Sequence, residues 1–144
     1  MKKLAFLILP FLLLPSDSLA KSFGDYQGAF YFRNYDGDTI TFNLPGLHPI
    51  IGEKISIRVN GIDTPEIKGK CEKEKYDAQQ AKEMVADILK DAEQITLKNM
   101  ERGKYFRIAA DVIVDGKNLA DVLVEAGMAV RYDGGKKTHK WCGG

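Results

Sequence analysis

The segment Glu72–Ala92 contains neither glycine nor proline, and it lies between three short strand-like segments and two further ones. Apolar residues recur within it at spacings of three and four positions, which predicts one amphipathic helix. These residues are Ala81, Met84, Val85, Ile88, Leu89 and Ala92. Three strands, a helix and two strands are typical of a β-barrel with helices (α+β), namely a five-stranded, partly open Greek-key barrel of the OB type.

The five strands are predicted from aromatic or alternating stretches between turn residues. They cover residues 27–35, 39–44, 55–59, 95–99 and 107–114. Asn118 is predicted to cap a short helix over residues 119–126 that Gly127 ends. Proline and glycine interrupt the pattern between residues 44 and 53, and the Gly- and Lys-rich segment from Tyr132 onward gives little reason to expect a helix.

Residues 1–20 have the features of a targeting segment. Lys2 and Lys3 precede an apolar run that extends to Leu14, and Ser18 and Ala20 give the end of the segment small side chains. This pattern predicts a cleaved secretory signal peptide. A membrane anchor is the alternative, but the run is shorter than the roughly 20 residues that a spanning helix needs.

The mature chain, residues 21–144, is then expected to be one domain and a monomer. We expect it to be exported, either to a periplasm or out of the cell, without stable membrane association. Cleavage leaves 19 Lys and Arg against 19 Asp and Glu, so the formal net charge is zero. Proteins that coat nucleic acid through bulk charge are usually basic, so any phosphate recognition must be local.

The chain has two cysteines, Cys71 and Cys142. Because export places them where disulfides persist, a bond between them is expected. They lack a CxxC spacing, which makes a zinc site a poor alternative.

Two carboxylates are predicted to meet at one end of the barrel. Asp38 enters the second strand from an acidic turn, and Asp63 follows the third strand. With a backbone carbonyl they would suit a hard cation such as Ca²⁺ or Mg²⁺. The alternative is that these aspartates only form turns. An EF-hand is excluded, because Gly37 lies inside the acidic pair and Leu47 stands at the twelfth position.

Arg58 and Arg107 lie on predicted strands near this acidic end, and a guanidinium can bind two phosphate oxygens at once. Each arginine alone is more often a surface charge. Together with the two aspartates they provide the alternating charges that phosphodiester cleavage needs, and Glu66 could orient or deprotonate the attacking water.

The chain resembles the staphylococcal nuclease (thermonuclease) family over essentially its whole mature length. The matching motifs are Asp36-Gly37-Asp38-Thr39, Ile57-Arg58-Val59, Gly61-Ile62-Asp63-Thr64-Pro65-Glu66, Lys104-Tyr105-Phe106-Arg107, Asp115-Gly116 and Leu123-Val124-Glu125-Ala126-Gly127-Met128-Ala129. The resemblance implies an OB barrel, a Ca²⁺ cofactor, and DNA and RNA substrates that are cut to products ending in 3′-phosphate.

By the same resemblance, each site residue has an implied role. Asp38 and Asp63 correspond to carboxylates that bind calcium, and Thr64 corresponds to a calcium ligand through its backbone carbonyl oxygen. Arg58 and Arg107 correspond to phosphate-binding arginines, and Glu66 to the general base. Lys104 and Tyr105 correspond to contacts with the terminal phosphate, and Tyr132 to a base-stacking tyrosine. Phe106 stands where the family usually has glycine, and the family's long C-terminal helix is missing. A disulfide to Cys71 would tie down the tail that replaces this helix.

Two other interpretations stay open at this point. A noncatalytic OB module that binds nucleic acid predicts the loss of one or more of Asp38, Arg58, Glu66 and Arg107, and all four are present. A structural envelope protein predicts no interaction with nucleic acid.

Overall fold

The computed structural model describes residues 22–103, 105 and 107–143. The predicted signal peptide, Lys104 and Phe106 therefore lie outside the described residues. Within them the strands are β1 Tyr26–Gln27, β2 Phe30–Asn34, β3 Thr39–Asn43, β4 Ile55–Val59, β5 Ile62–Asp63, β6 Ile95–Arg102, β7 Ile108–Val114, β8 Lys117–Asn118 and β9 Val130–Arg131. The helices are α1 Pro49–Gly52, α2 Glu72–Lys90 and α3 Leu119–Glu125.

Seven strands form one curled mixed sheet in the order β1-β6-β7-β4-β3-β2, with β8 paired to β7. Neighbouring strands are antiparallel except for β4 and β7, which are parallel. A separate antiparallel pair joins β5 to β9. The curled sheet and its helices make a half-barrel of the OB type, so the predicted α+β fold class is confirmed.

The core lies between the concave face of this sheet and the helices. Alternation along β3 and β4 buries Ile40, Phe42 and Ile57 completely. From α2, the residues at helical spacing Ala78, Ala81, Val85 and Leu89 are buried as well. Burying one such large side chain stabilises the fold by about 1.5–3 kcal/mol. The same alternation directs Thr39, Thr41 and Arg58 to the outer face, where the site is.

Helix α2 begins beside the disulfide. The Sγ atom of Cys71 accepts a hydrogen bond from the Glu74 N–H at 3.4 Å, and Glu72 and Glu74 place acidic groups in the first turn, where the helix dipole favours them. The predicted bond between Cys71 and Cys142 is present. Of the helices in the described part of the chain, none has both the length and the apolar character that a membrane crossing requires.

Several predicted boundaries were wrong for local reasons. The first strand is split at Gly28 and Ala29, whose N–H groups both donate to a single acceptor, the Ile95 carbonyl oxygen at the start of β6. The interrupted loop contains α1, which His48 caps by accepting a hydrogen bond from the Ile50 N–H. Strand β7 begins at Ile108, so Arg107 lies in the preceding turn.

Candidate active site

The acidic turn between β2 and β3 is held together by one buried carboxylate. Asp36 Oδ1 accepts hydrogen bonds from the N–H groups of Asp38 at 3.1 Å and Thr39 at 2.8 Å. Burial raises the pKa of Asp36, while hydrogen bonding from Thr39 and the charge of Arg58 act in the opposite direction. Asp36 therefore forms the turn, and this frees the carboxylate of Asp38 to face the site.

Asp38 is bound on its other side to the strand-to-turn segment. Its Oδ2 atom accepts hydrogen bonds from the Thr64 N–H at 3.0 Å and the Thr64 hydroxyl at 2.9 Å. Gly37 makes this approach possible, because a Cβ atom there would lie 2.8 Å from Cγ2 of Thr64. Side chains of Asp38 and Thr64, distant by 26 residues, thus form one buried unit.

Arg58 links the two aspartates. Its Nη1 atom forms an ion pair with Oδ1 of Asp38, and its Nη2 atom donates to the Ile62 carbonyl oxygen at 3.1 Å and lies 3.8 Å from Oδ1 of Asp63. Burial lowers the pKa of Arg58, against the charges of Asp36 and Asp63, which raise it. The guanidinium stays charged, because an arginine side chain is effectively always protonated in proteins. Asp38 and Asp63 therefore lie within reach of one cation, as the strand order predicts.

A surface cleft of about 550 Å³ opens in front of Arg58. Residues that line it include Asp38, Arg58, Glu66, Arg107, Tyr132 and Lys137. Arg107 is exposed and stands at the end of a turn in which the Gly103 N–H donates to the Arg107 carbonyl oxygen at 2.7 Å. The positive charge of Arg107 contributes to lowering the pKa of Arg58, so the two guanidinium groups face the same space.

Asp63 and Glu66 are held by the C-terminal segment, residues 132–143, which we call the strap. Lys137 Nζ lies 2.6 Å from Oδ1 of Asp63 and 3.0 Å from Oε1 of Glu66. The indole N–H of Trp141 donates to Oδ2 of Asp63 at 3.3 Å. Burial alone would lower the pKa of Lys137, but its contacts with the two carboxylates outweigh burial and raise the pKa.

The disulfide fixes the end of the strap beside α2. Cys71 lies five residues after Glu66, and Cys142 lies five residues after Lys137, so the bond brings the two segments alongside each other. Glu74 closes the same region, since its buried carboxylate accepts hydrogen bonds from the Lys70 N–H at 3.0 Å and the Glu66 N–H at 3.4 Å. A Cβ atom at Gly69 would lie 2.5 Å from the Glu74 side chain, so a larger residue here would displace that carboxylate.

The family model for staphylococcal nuclease homologues matches residues 56–141, which is more than half of the chain. The chain belongs to the staphylococcal nuclease family. A search of curated proteins finds no match. The matched segment includes Arg58, Asp63, Thr64, Glu66 and Arg107. It begins after the acidic turn, so Asp38 lies outside the match and is brought next to Arg58 and Thr64 by the fold.

The structure brings most of the predicted site residues together. Thr64 lies against Asp38, and Tyr132 lines the cleft while its hydroxyl donates to the Gly135 carbonyl oxygen at 2.7 Å. Tyr105 is 88% exposed and has a positive φ of 58°. Lys104 lies outside the described residues. The roles of these residues toward substrate therefore stay predictions.

The oxygen donors at the head of the cleft suit the calcium ion that the family implies. Asp63 Oδ1 is shielded from solvent and has no hydrogen bond of regular geometry, although the Lys137 ammonium group lies beside it as an ion pair. Asp38 and Asp63 would supply carboxylates and Thr64 a carbonyl oxygen, which are the ligand types that Ca²⁺ prefers. The residues present therefore fit a hard cation that takes the place of the Lys137 ammonium group.

Another group of potential ligands does not form a metal site. Cys71, Cys142 and Glu74 lie close together, but the two sulfur atoms are bonded to each other. Thiolate is the form of cysteine that binds metals, and a disulfide has none.

Sequence reasoning missed four contributors to this site. The sequence pattern indicates only a turn for Asp36 and Gly37, and for Lys137 and Trp141 only a tail that a disulfide would tie down. The cysteine positions contain a usable signal for Lys137. Lys137 precedes Cys142 by the same number of residues as Glu66 precedes Cys71, so a disulfide would bring the two side chains alongside each other. No comparable signal identifies Trp141 as a donor to Asp63.

Proposed function

We propose that this protein is a calcium-dependent endonuclease that hydrolyses phosphodiester bonds of DNA and RNA to products ending in 3′-phosphate. The observation that carries the proposal is the position of Arg58, which contacts Asp38 and lies near Asp63 at the head of a cleft that also holds Glu66 and Arg107. Membership of a nuclease family and an open, charged cleft support it.

The two arginines would bind the scissile phosphate. Arg107 is exposed in the cleft and can reach a ligand directly. Arg58 would exchange part of its contact with Asp38 for a phosphate oxygen, and Asp38 and Asp63 would then hold the cation with Thr64. When bound, Ca²⁺ would supply positive charge to a phosphoryl oxygen as negative charge develops on it.

Glu66 would act on the attacking water once it leaves Lys137. The water oxygen adds to phosphorus, the bond from phosphorus to the 5′ oxygen breaks, and one water proton passes to Glu66. The 5′ oxygen takes up a proton from solvent and becomes a hydroxyl group, while the phosphate stays on the 3′ oxygen. Because a carboxylate is a weak base toward water, positioning of the water is the larger part of this role.

Lys104 and Tyr105 would contact the terminal phosphate, and Tyr132 would stack on a base. The exposure of Tyr105 and the place of Tyr132 in the cleft support these two roles. Lys104 is assigned on its place in the sequence motif alone.

We also propose that the protein is exported as a monomer after removal of residues 1–20. The Lys-rich start, the apolar run and the disulfide support export. N-terminal sequencing of the protein recovered outside the cytoplasm would test this, and a start at Lys21 is expected. Recovery of an uncleaved chain in the membrane would contradict it.

Cleavage of labelled single strands tests the function. Purified residues 21–144 should cut DNA and RNA oligonucleotides with Ca²⁺ and not with EGTA, and mass spectrometry should find a 3′-phosphate on the products. Undiminished cleavage in EGTA would contradict the calcium requirement. Tight binding without cleavage would favour a noncatalytic OB module, and no interaction at all would favour a structural protein.

A further inference from the structure

The outer face of β2, β3 and β4 continues from the active site. In the strand register Thr39 lies opposite Arg58, and Thr41 lies opposite both Ser56 and Arg33. Residues opposite one another on paired strands point to the same side of the sheet. The row of Arg33, Thr41 and Ser56 therefore shares its face with Arg58, and one two-residue step of about 7 Å separates the two rows.

This face forms a groove of about 590 Å³. Three cationic residues line it: Arg33 on β2, Lys54 before β4 and Lys82 on α2. Among the described residues that line the groove, none is acidic. Thr39 borders both the groove and the active-site cleft, so the two are continuous. A chain of phosphates leaving the cleft would meet positive charge along this path.

Exposed aromatic rings accompany the cations. Tyr35 lines the groove and is 50% exposed, and Phe32 is 44% exposed at the point where the register of β2 shifts. Lys54 Nζ lies 5.1 Å from the centre of the Phe32 ring. A positively charged groove with exposed aromatic rings is the arrangement that binds single-stranded nucleic acid, because every base can stack on a ring and every phosphate is an anion.

We propose that this groove binds the single-stranded part of the substrate that extends beyond the scissile phosphate. The proposal rests on the proposed nucleic-acid substrate, and it adds a second site that makes the enzyme favour long strands over dinucleotides. The groove is separate from the catalytic residues, so the two contributions can be measured independently.

The test compares two double variants that each remove two exposed cations. Arg33→Gln with Lys54→Gln alters the groove, and Lys98→Gln with Lys117→Gln alters other strands of the barrel. Thermal unfolding checks that both variants fold. Fluorescence anisotropy then measures the affinity for a 20-nucleotide single strand in EGTA, and steady-state kinetics with Ca²⁺ compare the same strand with a dinucleotide.

The groove variant should bind the 20-nucleotide strand about ten-fold more weakly, with a log–log salt slope smaller by roughly 1.4. Its kcat/KM should fall by a similar factor for the long strand and stay unchanged for the dinucleotide, while the control variant matches the wild type. Tyr35→Ala should weaken binding of the long strand by about five-fold or more for any base sequence.

Three results would overturn the inference: equal losses in both double variants, equal losses on both substrates, or unchanged affinity of the groove variant for the long strand. If the wild type cuts only dinucleotides and binds no strand, the groove proposal fails and the nuclease assignment stands. If nothing is cut but the groove variant alone loses binding, the assignment as an enzyme fails and the groove proposal stands.

Discussion

The two halves of the candidate active site are held in different ways. Asp38 is held by Arg58, which lies on β4 opposite Thr39 of β3, and by Thr64, which directly follows β5. The Asp38 side chain is only 6% exposed. Asp63 and Glu66 are held by Lys137, which comes from the strap and keeps 46% of its side chain exposed. One half belongs to the sheet, and the other depends on a segment that a single covalent bond attaches.

This difference indicates where the site can change without unfolding. Contacts of the sheet-held half are buried with the core and can be lost only with the strands. The pair between Lys137 and the half-exposed Glu66 contributes about 0–1 kcal/mol and can break at little cost, whereas the buried Asp63 can give up Lys137 only when another cation takes its place. The strap can therefore yield to a ligand while Asp38, Thr64 and Arg58 stay in place.

The largest effect is expected from the two arginines. Arg58→Ala and Arg107→Ala should each reduce kcat/KM by about 100-fold or more, which corresponds to roughly 3 kcal/mol of lost transition-state stabilisation. They should differ in stability. Arg58→Ala leaves Asp38 buried without its charge partner, which costs about 3–5 kcal/mol, whereas Arg107 is exposed and its loss should leave Tm nearly unchanged.

Steady-state kinetics and thermal unfolding of both variants separate these contributions. Arg58→Lys serves as the control that keeps a positive charge next to Asp38. If Arg58→Ala and Arg107→Ala had the same Tm, the contrast between a buried and an exposed arginine would be wrong.

Removal of the disulfide should come next in size. Cys71→Ser with Cys142→Ser should lower the free energy of unfolding by at most about 4 kcal/mol, because the bond closes a long loop of the unfolded chain. Serine can still cap α2. The fluorescence of Trp141 should shift to longer wavelength as the strap leaves Asp63. Fluorescence identical to that of the oxidised protein would mean that the strap holds without the bond.

A mass measurement of the wild type under non-reducing conditions checks that the disulfide is formed. The wild type should contain no free thiol among its two cysteines. Two titratable thiols in the folded wild type would rule out the bond.

Neutralising either aspartate should weaken calcium binding. Asp38→Asn and Asp63→Asn should each lower the affinity for Ca²⁺ by about ten-fold or more, since each removes a charged oxygen ligand. Glu101→Gln, a neutralised acid that also lines the cleft, should bind Ca²⁺ as the wild type does. Titration calorimetry measures all three. Equal weakening by Glu101→Gln would indicate a general effect of charge rather than a defined site.

The smallest effect is expected at Lys137. Lys137→Met should bind Ca²⁺ roughly five-fold more tightly, because it removes an ammonium group that competes with the ion for the carboxylates of Asp63 and Glu66. The neighbouring change Lys136→Met is the matched control and should have no such effect. An unchanged affinity of Lys137→Met would show that the strap does not compete with the ion.

The repeat of apolar residues along the sequence predicted the strands and helices that are long enough to show such a repeat. Alternation identified β3 and β4, helical spacing identified α2, and Asn118 caps α3 by accepting a hydrogen bond from the Ala120 N–H. Strands β5 and β9 have two residues each, and one helical turn forms α1, so none of them carries a repeating pattern.

The sheet-held half of the site could be predicted for the same reason. Asp38 directly precedes β3 and Arg58 lies on β4, and the pairing of these two strands brings the two side chains together. The strap-held half depends on a contact between residues 78 apart, Trp141 and Asp63, that no local pattern encodes. The roles of Arg107 and Glu66 could be predicted from the resemblance of the motifs. The supporting roles of Asp36 and Gly37 could not, because they depend on how Thr64 packs against the acidic turn.

We propose that one cation site joins the sheet-held Asp38 to the strap-held Asp63. Trp141 is the single tryptophan of the chain, and its indole donates a hydrogen bond to Asp63. Titration of the wild type with Ca²⁺ should therefore change the Trp141 fluorescence along a one-site saturation curve, and Asp63→Asn should abolish this response. Calcium-dependent cleavage with no change in Trp141 fluorescence at any Ca²⁺ concentration would contradict the account, because the ion would then bind elsewhere.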